Sequence, residues 1–220
     1  MKPRTLKNAL YDQVARIGKG VSSPHRLELL DLLCQGEKSV ETLASQAGLS
    51  VKNASAHLRA LRAARLVETR KEARYVHYRL ADESVGTFFV ALRSLAESRL
   101  AEVREVAREF FSGHVDMTPV DRQRLLERVM AGDVVVLDVR PAAEFRAGHI
   151  PGARSVPLDE LRQTLGSIPR DQDVVAYCRG PYCVLALEAV VLLRAEGYRA
   201  MRLEDGVAEW RAAGRPIERA

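Results

Sequence analysis

Eleven residues from Val174 to Val184, reading VVAYCRGPYCV, concentrate the reactive chemistry of this chain. An apolar run ends on Cys178, a glycine–proline loop follows, and an apolar stretch with helical spacing begins after Cys183. That order predicts a strand, a short loop and a helix, with a thiol where the strand gives way. Loop N–H groups and the positive end of a helix dipole can converge on such a sulfur. They would hold an anion and lower a thiol pKa from its free value of about 8.5. Cys178 is therefore the candidate nucleophile, and Arg179, Gly180, Pro181, Tyr182 and Cys183 form its loop. Arg179 sets a positive charge near the rim, Gly180 lets the backbone turn and Pro181 stiffens it. Cys183 has two readings: a second thiol that resolves a sulfur species on Cys178, or a small buried residue at the helix start.

The surrounding stretches alternate in period. Val134–Val139, Ala153–Val156, Val174–Tyr177 and Ala200–Leu203 read as strands. Helices fall at about Asp121–Met130, Leu158–Leu165 and Val184–Glu196. Such alternation predicts an α/β domain with a parallel sheet. Trp210 follows the last strand and is expected in the core. His149, in a Gly/Pro turn, is expected to be structural.

The first half reads as mainly helical. Leu6–Ile17 forms an opening helix that Gly18 and Gly20 break. Ser22 or Ser23 caps a second helix with Pro24 in its first turn, and Gly36 stops it. Val40–Ala47 is a short third helix, and Ser50 caps a fourth running to about Ala64. Leu66–Leu80 then reads as a β-hairpin whose charged tip is Arg70-Lys71-Glu72-Ala73-Arg74. Ser84–Phe111 carries apolar residues at three- and four-residue steps and reads as one amphipathic helix roughly 40 Å long. A small domain can hardly cover that stripe, so a helix from a second copy is its expected cover.

At 220 residues the chain has room for two domains, 1–115 and 116–220, joined by a linker at Gly113–Pro119. Charge divides unevenly between them. Residues 1–115 hold 19 Lys and Arg against 13 Asp and Glu, and residues 116–220 hold 15 against 16. A positive first half points toward a polyanion such as DNA. The first twenty residues have no apolar block, and no apolar run reaches the ~18 residues that span a bilayer. Three cysteines make no disulfide framework. The expectation is a cytoplasmic protein with free thiols and no membrane partner.

Placed on a helix, Ala54, Leu58 and Leu61 share one face of the fourth segment. Lys52, Ala56 and Arg59 fall on the opposite face, flanked by Asn53 and Ser55. Small residues allow close approach to a major groove, where Lys, Arg and Asn can bond base edges. Arg70, Lys71 and Arg74 on the hairpin would lie along phosphates or enter the minor groove. His57, near the edge of the apolar face, is expected to be structural.

The runs HRLELLDLL, GEKSVETLA, GLSVKNASAHLRAL and YVHYRL together resemble the ArsR family of winged helix-turn-helix repressors, over about Val14 to Arg108. The resemblance implies a homodimer, joined through the 84–111 helix, on a double-stranded DNA operator. The family's metal sites do not carry over. The stretch equivalent to its Cys-x-Cys pair is SVET, and Ser84–Phe111 contains no His. No metal and no cofactor are therefore expected, and Cys34, among leucines, reads as a small core residue.

The second half resembles a rhodanese domain over about Pro119 to Ile217. The motifs are VVVLDVRPAAEFRAGHIPGARSVPL, VVAYCRGPYCVLALEAVVLLRAEGY and LEDGVAEWRAAGRPI. The resemblance implies a persulfide on Cys178, taken from a sulfane donor such as thiosulfate or polysulfide, with Asp138, Arg140 and Glu144 bracing a turn. Phosphatases of the same fold carry Cys-x5-Arg, and Val184 stands at that arginine's position, which favours sulfur over phosphate. Three readings follow: a sulfur-responsive repressor, a thiosulfate sulfurtransferase with an accessory DNA-binding domain, or a redox or metalloid sensor through Cys34.

Overall fold

A computed structural model describes residues 3–112, 127–129, 131 and 133–220. The linker expected at 113–119 lies outside these residues, as does most of the helix expected over 121–130. The chain forms two compact units, residues 1–89 and 90–220.

The first unit opens with α1 (Pro3–Val21) and α2 (Pro24–Cys34). Contrary to expectation, α1 runs through Gly18 and Gly20. A Cβ on Gly20 would come within 2.8 Å of the Ala64 Cβ, so this glycine serves close packing and does not end the helix. Proline at the start of α2 matches the expected entry, but neither serine caps it: Ser23 makes no side-chain cap hydrogen bond and the Ser22 hydroxyl donates to the Lys19 carbonyl. A two-residue strand not foreseen from the sequence, β1 (Lys38–Ser39), precedes α3 (Val40–Gln46). The Ser39 hydroxyl accepts from the Thr42 N–H at the start of α3. The Ser50 hydroxyl accepts from the Asn53 N–H at the start of α4 (Val51–Ala63). β2 (Val67–Glu72) and β3 (Tyr75–Leu80) form an antiparallel hairpin, and the sheet order is β1-β3-β2. Leu29, Leu30, Leu43, Leu58 and Leu61 are fully buried. Truncating any of these leucines would cost about 2–5 kcal/mol.

The expected 84–111 helix is two helices, α5 (Glu83–Arg99) and α6 (Ala101–Ser112). No proline or glycine marks the break at Leu100. Instead the Arg104 guanidinium takes the Glu97 and Ser98 carbonyls, at 2.6 and 3.3 Å. The charged side chain thus satisfies acceptors that a continuous helix would pair along its backbone.

In the second unit the described strands are β4 (Val134–Asp138), β5 (Arg154–Ser155), β6 (Asp173–Tyr177) and β7 (Ala200–Arg202). They are parallel, in the order β5-β4-β6-β7. The helices are α7 (Ala142–Ala147), α8 (Leu161–Thr164), α9 (Leu185–Ala195) and α10 (Val207–Ala212). Alternate strand residues feed two cores. Val135, Leu137, Val174 and Ala176 pack with Ala189, Val190 and Leu193 of α9. Val134, Val136, Val175 and Tyr177 pack with Val207 and Trp210 of α10. β6 lies between β4 and β7, so its C-terminal end is held from both sides.

Among the described residues, no helix is long and apolar enough to cross a membrane.

Candidate functional site

Cys178 follows β6 directly and is 1% exposed. The chain then turns at Gly180, whose φ of +146° lies in the region that favours glycine. The Cys183 N–H donates to the Gly180 carbonyl at 3.1 Å, which folds the loop back before α9 begins. The Cys178 thiol donates to the Cys183 carbonyl at 3.4 Å. Both cysteines pack against the same core, with Cys183 half-buried.

The electrostatics of this pair differ from the expectation of a lowered Cys178. Burial pushes the Cys178 thiol well up, and its bond to Cys183 pushes the same way; the Ala186 and Gly180 N–H groups pull it down. Cys183 is drawn down to about 6 by the hydrogen bond from Cys178, against burial and with help from the Arg179 and Leu185 N–H groups. The two thiols are thus coupled in opposite directions, Cys178 pushed up and Cys183 drawn down.

Asp138, at the end of β4, and Arg140 form a buried pair. Arg140 Nε donates to Asp138 Oδ1 at 2.9 Å and its Nη2 to the Gly148 carbonyl at 2.8 Å. The Tyr177 hydroxyl donates to Asp138 Oδ2 at 2.6 Å and accepts from the Ile150 N–H at 3.1 Å. Removing Arg140 would leave the Asp138 carboxylate buried without its guanidinium. Glu144, on α7, is buried, and its charge favours the Arg140 cation. Its carboxylate takes the Arg179 guanidinium, with Nη2 to Oε1 at 2.7 Å. Arg179, expected near the rim, is thus bound to a buried carboxylate.

Sequence reasoning missed the residues that hold the loop from outside its motif. Arg202, at the end of β7, donates to the Pro181 carbonyl at 2.7 Å. Glu209 accepts from the Gly206 N–H at 2.6 Å and from Arg93 Nη2 at 2.5 Å. A Cβ on Gly206 would fall 2.4 Å from the Arg179 carbonyl. The glycine of LEDGVAEW was the available signal, since only glycine permits that approach. The Tyr182 hydroxyl donates to Glu97 at 2.7 Å, and the Arg93 guanidinium lies 5.6 Å from the Tyr182 ring centre. Trp210 is fully buried on α10, and His149 is stacked on Phe145 at 3.7 Å.

In the first unit, α4 exposes Lys52, Asn53, Ala56 and Arg59, with Ser55 partly covered, while Ala54, Leu58 and Leu61 are buried. The hairpin corrects one placement. Arg70, expected on the tip, lies within β2 opposite His77 and is bound by Glu37 at 2.6 Å and Glu72 at 2.9 Å. Lys71 is also within β2, and the turn itself is Ala73-Arg74, with Ala73 at φ +52°. Arg74 donates to the Tyr75 hydroxyl at 2.9 Å. Cys34 is buried at the end of α2. His57 lies 5.3 Å from the His25 ring. Among the described residues, no group of three or more His, Cys, Asp or Glu is arranged to hold a metal ion.

Comparison with known proteins gives two family matches. Residues 23–69 match the family described as bacterial regulatory protein, arsR family. Residues 121–213 match the rhodanese-like domain. The chain is 45% identical over 212 residues to the HTH-type transcriptional regulator Rv0324 of Mycobacterium tuberculosis, covering 96% of this chain and 93% of that protein. It is 34% identical over 100 residues to a sulfurtransferase of Allochromatium vinosum, covering 44% of this chain and 92% of that protein. A solution structure of a homodimeric winged helix-turn-helix DNA-binding fragment from Mycobacterium bovis is 43% identical. The likeness covers 46% of this chain and 91% of the fragment, with a TM-score of 0.42.

Proposed function

Because this chain belongs to the ArsR family of bacterial regulatory proteins and carries a rhodanese-like domain, we propose that it is a DNA-binding repressor controlled by sulfane sulfur. In this reading Cys178 takes up one sulfur as a persulfide, and the persulfide changes the grip on DNA. The observation that carries it is the buried Cys178 at the end of β6, faced by the Gly180 and Ala186 N–H groups and by no arginine at position 184. A persulfide is anionic at neutral pH, and N–H groups of this kind stabilise it. With thiosulfate as donor, the Cys178 sulfur attacks the outer sulfur. A new S–S bond forms, and sulfite leaves with the electron pair of the bond that breaks.

The reader is α4. Lys52, Asn53, Ser55, Ala56 and Arg59 would face the major groove, with Lys71 and Arg74 on the backbone beside it. Arg70 would have to exchange Glu37 for a phosphate. The functional division falls at 1–115 and 116–220, and the two family matches lie on either side of it. Leu95 and Leu100, with Val106 and Phe110 on α6, are exposed, as are Leu10 and Val14 on α1. That exposure supports a homodimer through residues 84–111, in the cytoplasm, spanning two half-sites on the DNA.

Gel-shift titration tests this, with a duplex selected from a random library by the full-length protein. Thiosulfate or polysulfide should change affinity by roughly 5- to 150-fold, a coupling of about 1–3 kcal/mol, and Cys178→Ala should remove the response. Equal shifts in the two proteins would sink the proposal. The similarity to a sulfurtransferase supports a second reading, a working enzyme. Sustained sulfur transfer to cyanide or thiols over many turnovers would favour that enzyme.

A further inference from the structure

We propose that Cys183 is the second reacting thiol of the loop: it accepts the proton of Cys178 as that sulfur attacks its donor, then resolves the Cys178 persulfide into a Cys178–Cys183 disulfide, releasing hydrosulfide. This rests on the persulfide reading above and names how the loaded state ends.

Three features of the loop carry it. The positive-φ turn at Gly180 and the bond from the Cys183 N–H to the Gly180 carbonyl bring the two ends of the loop together. The Cys178 thiol already donates to the carbonyl of Cys183, at 3.4 Å. The N–H donors interleave: those of Gly180 and Ala186 serve the Cys178 sulfur, and those of Arg179 and Leu185 serve the Cys183 sulfur. One cradle thus holds two sulfurs. A merely space-filling cysteine, half-buried, would keep its proton, because burial opposes the charged form. Cys183 is instead drawn down to about 6 by the hydrogen bond from Cys178. Arg202 on the Pro181 carbonyl keeps the loop closed over both sulfurs.

The chemistry balances in two steps. The Cys183 thiolate takes the Cys178 proton while the Cys178 sulfur bonds to the outer sulfur of thiosulfate and sulfite departs. Cys178 is then a persulfide anion and Cys183 a thiol. In the second step the Cys183 sulfur attacks the inner sulfur of the persulfide. It supplies the electron pair of the new bond, and the outer sulfur leaves with the pair of the broken one. The Cys183 proton ends on the departing sulfur as hydrosulfide. Cys183 is oxidised and the outer sulfur is reduced, so no further oxidant is needed.

The test treats full-length protein with thiosulfate and measures sulfite, hydrosulfide and peptide masses, for wild type, Cys183→Ser and Cys183→Ala. Sulfite counts the first step and hydrosulfide the second. Wild type should release both in equal amounts and yield a linked Cys178–Cys183 peptide lighter by two hydrogens. The variants should release sulfite more slowly than wild type, because the proton acceptor is gone, then hold one extra sulfur on Cys178 and release hydrosulfide only at background. If wild type also keeps the extra sulfur and forms no linked peptide, the resolving role is wrong and the persulfide reading stands. If no protein releases sulfite or gains sulfur from thiosulfate, the persulfide reading itself falls. The wild-type peptides decide the matter even if a variant misfolds.

Discussion

The two units handle charge in opposite ways. In the first, ion pairs lie in water: Arg70 and Glu37 are 53% and 28% exposed, and Arg79 and Glu68 are 61% and 53% exposed. The second also has surface pairs, such as Arg199 with Asp173, but those around the loop and the β4 end are interior: Arg140 and Asp138 are both at 0%, and Arg93 and Glu209 are at 9% and 7%. Exposed pairs contribute little and exchange partners readily, which would suit the proposed move of Arg70 from Glu37 to a phosphate. Interior pairs are costly to separate and fix geometry, which suits a loop that must hold two sulfurs in register. The same residue types thus serve mobility in one unit and rigidity in the other.

The largest expected contrast concerns sulfur. Cys178→Ala should abolish sulfite release from thiosulfate, whereas Cys34→Ser should leave it unchanged; release lost in both would make the two units one chemical site. Next is stability. Arg140→Ala leaves the buried Asp138 carboxylate without its guanidinium and should cost about 3–5 kcal/mol in denaturant unfolding. Glu37→Ala should be indistinguishable from wild type in that assay, and a comparable loss would erase the charge contrast. On DNA, Arg59→Ala should cost about 1–3 kcal/mol on the selected duplex and relax preference at one base pair. Lys71→Ala should weaken all sequences alike and reduce the salt slope by about one.

The smallest effects are in pH. Loop alkylation by iodoacetamide should rise through a midpoint near the Cys183 value of about 6 and lose that midpoint in Cys183→Ser. His57 is lowered by burial, then by His25 and Arg26. The unfolded chain therefore binds that proton more readily than the folded one. The His57 contribution to stability is complete above about 6.5 and shrinks as pH falls below it. Unfolding midpoints at pH 7.5 and 5.5, wild type beside His57→Gln, check this through a smaller pH difference in the variant.

What could be read from sequence follows the reach of each interaction. Pro24 and Ser50 act within one turn, so the starts of α2 and α4 were legible. Continuous apolar runs likewise exposed β4 and β6. The loop's supports were hidden because they are distant in sequence: Glu144 meets Arg179, and Arg202 meets Pro181. Gly20 was misread because a glycine that permits packing looks the same as one that ends a helix. The break at Leu100 left no trace because a side chain, Arg104, creates its compensation. Cys183 kept two readings because spacing alone does not reveal which thiol is pushed up and which drawn down.

Burial of Cys178 also has a consequence in time. A sulfur at 1% exposure is reached by bulky reductants only when the loop opens, and opening of a pinned segment is a local unfolding event with its own rate. Above some reductant level, recovery of the reduced loop should stop accelerating and run at that opening rate. The loop would then keep a record of past sulfur exposure, with a persistence set by the fold and independent of the surrounding thiol pool.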